Sequence, residues 1–292
     1  MRKNLYLKTL CLMQLLLIAW NTFSQQIEFE NLRVDDGLSQ CNVCAILQDS
    51  RGFLWFGTED GLNLYDGYRF IIFRNNPNDN NSISNNHVLS LAEDMDNNIW
   101  IGTASGLNRY NPKYKKFQCF LPNKKNPNGI SNAVIQSIMV DTQNEIWVGT
   151  NDGLNIYHPA NGHFTIFRNA ISNRLSLANN AIKTIVQATN GKFWIGQKGG
   201  VSIFDSSNQK FSCLPQKYQD LLCHDYVNSI FEDSKHNIWI ATEFNGILKV
   251  LKSSGQIINY NQQFIYHSGL SNLTVKQFTE DRDGNIWIAT DY

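Results

Sequence analysis

Residues 49–67 read DSRGFLWFGTEDGLNLYDG, and the same outline returns along the chain. WIGTASGLNRYNP starts at Trp100, WVGTNDGLNIYHP at Trp147 and WIGQKGGVSIFDS at Trp194. WIATEFNGILKVL, with one extra residue, starts at Trp239, and WIATDY runs from Trp287 to the last residue. The markers Trp55, Trp100, Trp147, Trp194, Trp239 and Trp287 stand 45, 47, 47, 45 and 48 residues apart. A period of this size marks a repeat architecture and takes precedence over any local reading. Six residues ahead of the marker stands Asp49, Asp94, Asp141, Asp233 or Asp281, with Ala188 as the exception.

One period divides into four short strands. In the first copy these are Val43–Gln48, the apolar run Phe53–Gly57, then Leu62–Tyr65 and Arg69–Arg74. Asp49-Ser50-Arg51-Gly52, Glu59-Asp60-Gly61 and Asp66-Gly67 separate them, and Asp-Gly readily adopts the positive φ of tight turns. Helical solenoids are excluded, because every apolar run is ended by Gly, Asn or Asp within a few residues. Four strands per repeat make a propeller blade. The fold class is therefore all-β, a β-propeller of four-stranded blades with five complete blades and half of a sixth over residues 41–292, an incomplete ring.

Packing explains the outline. A blade has neighbours on both faces, so its second strand is apolar on both sides, as Phe53, Leu54, Trp55 and Phe56 are. Each Trp is expected to wedge between blades, a burial of on the order of 4–6 kcal/mol gross. The Gly or Ala two positions later leaves space for the next blade. The Asp six before the Trp is expected to accept backbone N–H bonds in its turn.

The amino terminus sets the compartment. Arg2, Lys3 and Lys8 precede an apolar run from Leu10 to Trp20, followed by Thr22, Phe23 and Ser24. This is the layout of a signal peptide over residues 1–24, and the run is too short for a membrane anchor. Residues 25–40 then form a leading segment or closing strand, and the mature protein is expected to be exported and periplasmic. Lys plus Arg equals Asp plus Glu, at 25 each, so the charge gives no footprint for nucleic acid.

The segments DSRGFLWFGTEDGLNLYDG and NNSISNNHVLSLAEDMDNNIWIGTASGLNRY resemble the two-component regulator propeller repeat. That repeat forms the exported sensor region of hybrid two-component systems of gut Bacteroidetes, which govern polysaccharide use. FENLRVDDGLS, at residues 29–39, is similar to the segment that leads into the first blade of those sensors. The resemblance implies a periplasmic ligand-sensing propeller portion of a hybrid sensor histidine kinase/response regulator. Its implied ligand is an oligosaccharide, and its membrane connection would run only through a downstream span. It implies a chain truncated before its membrane and kinase parts, and a homodimer is a partner expected of the full-length parent. In the family about seven blades close a ring, with Ile27–Val34 pairing with the last.

Catalytic chemistry finds no support in the motifs. The chain has no Gly-x-Ser-x-Gly elbow, no His-Glu-x-x-His and no phosphate-cradling Gly-rich loop. No kinase motif follows Trp287. The reading is of no enzyme, no catalytic residues, no cofactor and no metal. A free-standing exported lyase or hydrolase, or a carbohydrate-binding propeller, is the alternative. His87, His158, His163, His224, His236 and His267 share no repeat position and read as solvated or hydrogen-bonded side chains. Of the five cysteines beyond the signal, Cys41-x-x-Cys44 looks like a metal or redox pair, but burial as small apolar residues is the expectation. Asp94-x-Asp96-x-Asn98 and Asp281-x-Asp283-x-Asn285 open like calcium loops, yet Ser105 and Tyr292 stand where the closing glutamate is required. Turn chemistry is the better account of both.

A ligand site is placed only to a face. Turns after the second strand and links between blades emerge on one side, which carries Glu59, Asp60, Ser105, Asp152, Lys198 and Glu243 with the Asn-rich links at 75–87 and 169–180. Individual ligand contacts stay unknown at this point. An open ring is expected to expose strand edges and to associate through them.

Overall fold

A computed structural model of the chain describes residues 31–123, 125–126, 128–170, 176–260 and 274–291. The expected signal peptide and half of the expected closing strand, residues 27–30, lie outside the described residues. The described end of that strand, Asn31–Val34, is in no strand, and Val34 opens a short 3-10 turn to Asp36.

Blade 1 is built of β1 (Val43–Gln48), β2 (Leu54–Thr58), β3 (Gly61–Tyr65) and β4 (Phe70–Phe73), hydrogen-bonded in that order. Blade 2 is β5 (Val88–Glu93), β6 (Ile99–Thr103), β7 (Gly106–Asn111) and β8 (Lys116–Phe120). Blade 3 is β9 (Ile135–Val140), β10 (Ile146–Thr150), β11 (Gly153–His158) and β12 (His163–Phe167). Blade 4 is β13 (Ile182–Gln187), β14 (Lys192–Gln197), β15 (Gly200–Asp205) and β16 (Lys210–Cys213), followed by helix α1 (Gln216–Leu222). Blade 5 is β17 (Val227–Glu232), β18 (Ile238–Thr242), β19 (Ile247–Val250) and β20 (Ile257–Tyr260). A two-stranded half-blade, β21 (Val275–Glu280) with β22 (Ile286–Thr290), completes the described residues. All pairings are antiparallel, and the strand bounds expected from the first repeat hold to within a residue.

The first strand of each blade packs on the first strand of the next, from β1 through β21, and these strands surround the axis. The tryptophans are the inter-blade wedges that the repeat implied. Trp55 meets Tyr110 of blade 2, Trp100 meets Tyr157 of blade 3, Trp147 stacks on Phe193 of blade 4 at 3.8 Å, and Trp239 meets Phe278. The glycine notch is equally literal. A Cβ on Gly57, Gly102, Gly149 or Gly196 would come within 2.5–2.7 Å of Val88, Ile135, Ile182 or Val227, the first residue of the next inner strand. β1 and β21 do not pack on each other as consecutive blades do. Ile46 on the free face of blade 1 is 65% exposed, and Trp287 on the free face of the half-blade is 55% exposed, where Trp55 and Trp100 are fully buried.

The recurring aspartates do more than close turns. Asp94 Oδ1 accepts the N–H groups of Asp96 and Asn98, while Oδ2 accepts Trp100 Nε1–H at 2.8 Å. The same bond to the wedge indole is made by Asp49, Asp141, Asp233 and Asp281 at 2.8–3.1 Å. In blade 4 Ala188 takes the place of the aspartate, and the buried Trp194 Nε1–H has no partner. An orphaned buried donor of this kind costs about 1–3 kcal/mol. Ala188→Asp is therefore expected to stabilise the protein by about 1–2 kcal/mol, read as a higher urea midpoint at unchanged m-value. A lower midpoint would show that blade 4 has repacked around the alanine.

These carboxylates also set the acid limit. Burial pushes the Asp233 carboxyl up, but hydrogen bonds from Asn237 and Trp239 outweigh it and hold it below the usual range. Bonds from Asn285 and Trp287 bring Asp281 down to about 2. A depressed carboxylate contributes stability that is complete above its unfolded value, near 4, and lost as pH falls through the folded value. Stability is expected to fall from about pH 4 towards pH 2, and Asp233→Asn should flatten that limb in a urea titration series.

Candidate functional site

Each inner strand carries the same irregularity. Between its first and third residues the register with the second strand slips by one, six times in all. A bulge of this kind re-aims a side chain. The bulged residues are Cys44, Leu89, Gln136, Lys183, Asn228 and Lys276, one per blade, and they ring one end of the axis. That end is the face selected from the sequence. Links and hairpins meet there through the bonds Gly61 N–H to Asn86 O, Gly106 N–H to Ala133 O and Gly153 N–H to Asn180 O.

A cavity of about 450 Å³ opens between the inner strands, lined by Cys44, Ser90, Gln136, Ser137, Thr184 and Gln277 among others. Ser90 Oγ and Ser137 Oγ are buried in its wall with no protein hydrogen-bond partner. Both hydroxyls are packed against the glycines of the second strand, Gly102 and Gly149, behind the cavity surface. At the mouth, Glu59 accepts from Gln40 and Asn42, Gln136 donates to Asn151, and Asn228 donates to Glu243 at 2.6 Å. Lys276 bridges Asp291 and Glu243, and these carboxylates, Asp291 foremost, raise its pKa.

Of the hairpin residues singled out from the sequence, Asp60 and Asp152 face outward to Arg74 and Arg168 as exposed ion pairs. Glu59 and Glu243 turn to the mouth. Lys198 lies over the ring of Tyr226 at 5.4 Å. The extra residue of the fifth repeat enlarges the β18–β19 hairpin and puts Phe244 in solvent at 62% exposure. Tyr226 is beside it, its carbonyl accepting the Glu243 N–H. The buried Asp225 clamps this hairpin. Its carboxylate accepts the N–H groups of Glu243, Phe244 and Asn245 and the Asn245 side-chain amide. The result is an ordered, solvent-facing aromatic pair next to a polar mouth.

The sequence reading missed the device that ties links to hairpins. Ser39 N–H donates to the buried Asn63 Oδ1, Asn63 Nδ2 donates to Ser39 Oγ, and Ser39 Oγ meets Thr58 Oγ1. Ser84, Thr103 and Asn108 repeat this network, as do Ser131, Thr150 and Asn155. Blade 4 exchanges all three members at once, for Ala178, Gln197 and Ser202, and keeps the connection. A serine 24 residues before each Gly-Leu-Asn asparagine was the available signal.

The burial expected of Cys41 and Cys44 is corrected. Cys41, Cys44, Cys119, Cys213 and Cys223 are all exposed free thiols, because they stand on a link, a bulge, the outer strands and the end of α1 rather than between blades. Cys44 Sγ lies 3.9 Å from His87 Nε2 at the mouth, and partial desolvation by the surrounding strands, followed by the charge of Glu59, pushes its thiol pKa up. Asp94 and Asp281 serve their turns and tryptophans. Among the described residues no cluster of metal-ligating side chains forms.

The pattern of the two-component regulator propeller matches residues 37–60, 82–105, 129–152, 221–244 and 269–292. The matched repeats are two-component regulator propeller repeats. None of the matched segments falls in blade 4, where Ala188, Gln197 and Ser202 depart from the other copies. A curated relative of these repeats, histidine kinase P4 of Formosa agariphila, is 43% identical over 82 residues, which cover 28% of this chain and 6% of the kinase. The extracellular domain of a putative hybrid two-component system from B. thetaiotaomicron aligns at 28% identity and a TM-score of 0.55 over 89% of this propeller and 40% of that chain. A second such domain from the same organism aligns at 23% and 0.61 over 91% of this chain and 39% of its own. Streptogramin B lyase shares the fold at 16% identity and a TM-score of 0.62, covering 92% of this chain and 81% of the lyase. The chain thus spans well under half of the sensor proteins it matches. Among the described residues no helix is long and apolar enough to cross a membrane.

Proposed function

We propose that this chain is the periplasmic ligand-sensing propeller of a hybrid sensor histidine kinase/response regulator, and that its ligand is an oligosaccharide. The observation that supports the reading best is the alignment of 89% of the chain, at 28% identity, with a hybrid two-component extracellular domain. The bulge-ringed face is consistent with it. Tyr226 and Phe244 offer rings on which the C–H face of a sugar packs, and Asn228, Glu243 and Gln136 offer donors and acceptors for its hydroxyls. Signalling would pass through the membrane and kinase parts of a longer protein, as a homodimer. The chain itself performs no catalysis in this reading.

Titration calorimetry of the purified protein against plant and mucin oligosaccharides of two to six units tests the proposal. Binding of at least one is expected, weakened about tenfold or more by Phe244→Ala and Tyr226→Ala. Absence of binding across the series, with the protein folded by tryptophan fluorescence, would reject the oligosaccharide reading.

A further inference from the structure

The bulged residue of each inner strand and the first hairpin residue after the second strand stand 15 residues apart, and the fold brings the two together at the mouth. In blade 3 Gln136 Nε2–H donates to Asn151 Oδ1 at 3.2 Å. In blade 5 Asn228 Nδ2–H donates to Glu243 Oε2 at 2.6 Å, and in the half-blade Lys276 Nζ meets Asp291 Oδ2 at 2.9 Å. In each of these pairs the bulge supplies the donor and the hairpin the acceptor. Blade 1 carries Cys44 and Glu59 at the two positions, and blade 2 the uncharged Leu89 and Ala104.

Blade 4 breaks the rule. Its pair is Lys183 and Lys198, so both positions hold a donor and neither an acceptor. Ile182 is paired with Gln197 in the sheet, which puts one lysine beside each member of that pair. Both lysines are exposed, and among the described residues neither ammonium group has a carboxylate partner. By contrast Arg74, Arg168 and Lys276 are matched by Asp60, by Asp152 and by Glu243 with Asp291. Lys198 lies over the Tyr226 ring instead. The charge of Lys183 is felt at Cys44 on blade 1, where it opposes the larger effects of desolvation and of Glu59, so its ammonium is directed towards the axis. The neighbouring blades leave the pair uncompensated, because Gln136 and Asn151 on one side are uncharged and Glu243 on the other is held by Asn228 and Lys276. Like charges at facing positions destabilise each other. An oxyanion between them converts the repulsion into charge-assisted hydrogen bonds.

We propose that Lys183 and Lys198 are the seat for an anionic group of the ligand, whose oxygens take the acceptor place that Asn151, Glu243 and Asp291 fill in their own blades. The inference rests on the oligosaccharide reading above and narrows it to an acidic oligosaccharide, with the Tyr226 ring as a stacking platform beside the charged seat. A uronate carboxylate and a sulfate ester share this chemistry.

Isothermal titration of the whole chain with two matched pairs tests this, trigalacturonate against its methyl ester and sulfated neocarrabiose against neocarrabiose. At least one acidic probe is expected to bind about tenfold or more tightly than its neutral partner, and the pair that shows the difference identifies carboxylate or sulfate as the source. Lys183→Gln and Lys198→Gln should each weaken the acidic probe about tenfold and leave the neutral partner unchanged. Lys198→Glu supplies the acceptor internally, as Asp291 does for Lys276, and should abolish acidic binding and raise the melting temperature. Acidic probes that bind no better than their neutral partners, or acidic binding that survives Lys198→Glu, would overturn the proposal and leave the oligosaccharide reading standing. If no sugar binds, sodium sulfate tests the seat by itself, with sodium chloride at equal ionic strength as reference. A larger rise in melting temperature for wild type than for Lys198→Glu would keep the anion seat while the oligosaccharide reading falls, and equal rises would overturn both.

Discussion

Trp147→Ala is expected to lower the unfolding free energy by about 3–5 kcal/mol. The indole is 3% exposed, stacks on Phe193 and meets Phe204 of the next blade, and donates to Asp141. Truncation removes a wedge from the middle of the inter-blade series and also orphans a buried carboxylate oxygen. Asn151→Ala, four residues on in the exposed hairpin, removes one bond from Gln136 and should cost under about 0.5 kcal/mol. Urea titrations of both variants make the comparison. Equal losses would mean that the interface between blades 3 and 4 carries no more stability than a surface turn.

Asp225→Ala has the next largest expected effect, about 2–4 kcal/mol, and its character differs. The carboxylate is 1% exposed and forms no ion pair among the described residues; backbone and amide N–H groups of residues 243–245 satisfy it. Alanine leaves the Phe244 N–H without an acceptor, at about 1–3 kcal/mol if it stays buried, and takes one of two acceptors from the Glu243 N–H, the Asn245 N–H and the Asn245 amide. The β18–β19 turn should therefore lose its order. Hydrogen exchange of Phe244 and Asn245 amides should accelerate well beyond that of the β10–β11 hairpin. Unchanged protection at those amides would show that Thr242, which accepts the Asn245 N–H and bonds Gly246 O, holds the turn alone.

Blade count, strand order and wedge were readable because they follow from a period. Trp, Gly and Asp recur at fixed offsets, and a four-stranded sheet with neighbours on both faces allows few other uses for them. The face carrying the candidate site followed from connectivity, since links and second hairpins must leave a blade at the same end. What the repeat could not show was any contact that crosses it. The bond from each Asp to its own Trp depends on a turn geometry that brings residues six apart together. The Ser-Thr-Asn network joins positions in the link, the second strand and the third. Cys41 and Cys44 were misplaced for the same reason. Residue type suggested burial, and only the position of the link and of the bulge of β1 relative to their neighbours set exposure.

By itself, then, the sequence determined a repeated all-β blade, its apolar second strand, its spacing and the sidedness of its loops, all properties of local pattern and chain connectivity. The tertiary structure decided which copies differ in consequence. Ala188 matters because it leaves Trp194 Nε1 without an acceptor, and Asp225 because it reaches the enlarged hairpin. Substitutions within a repeat acquire meaning from side chains up to a blade away, and distances of that kind are fixed only when the blades are packed.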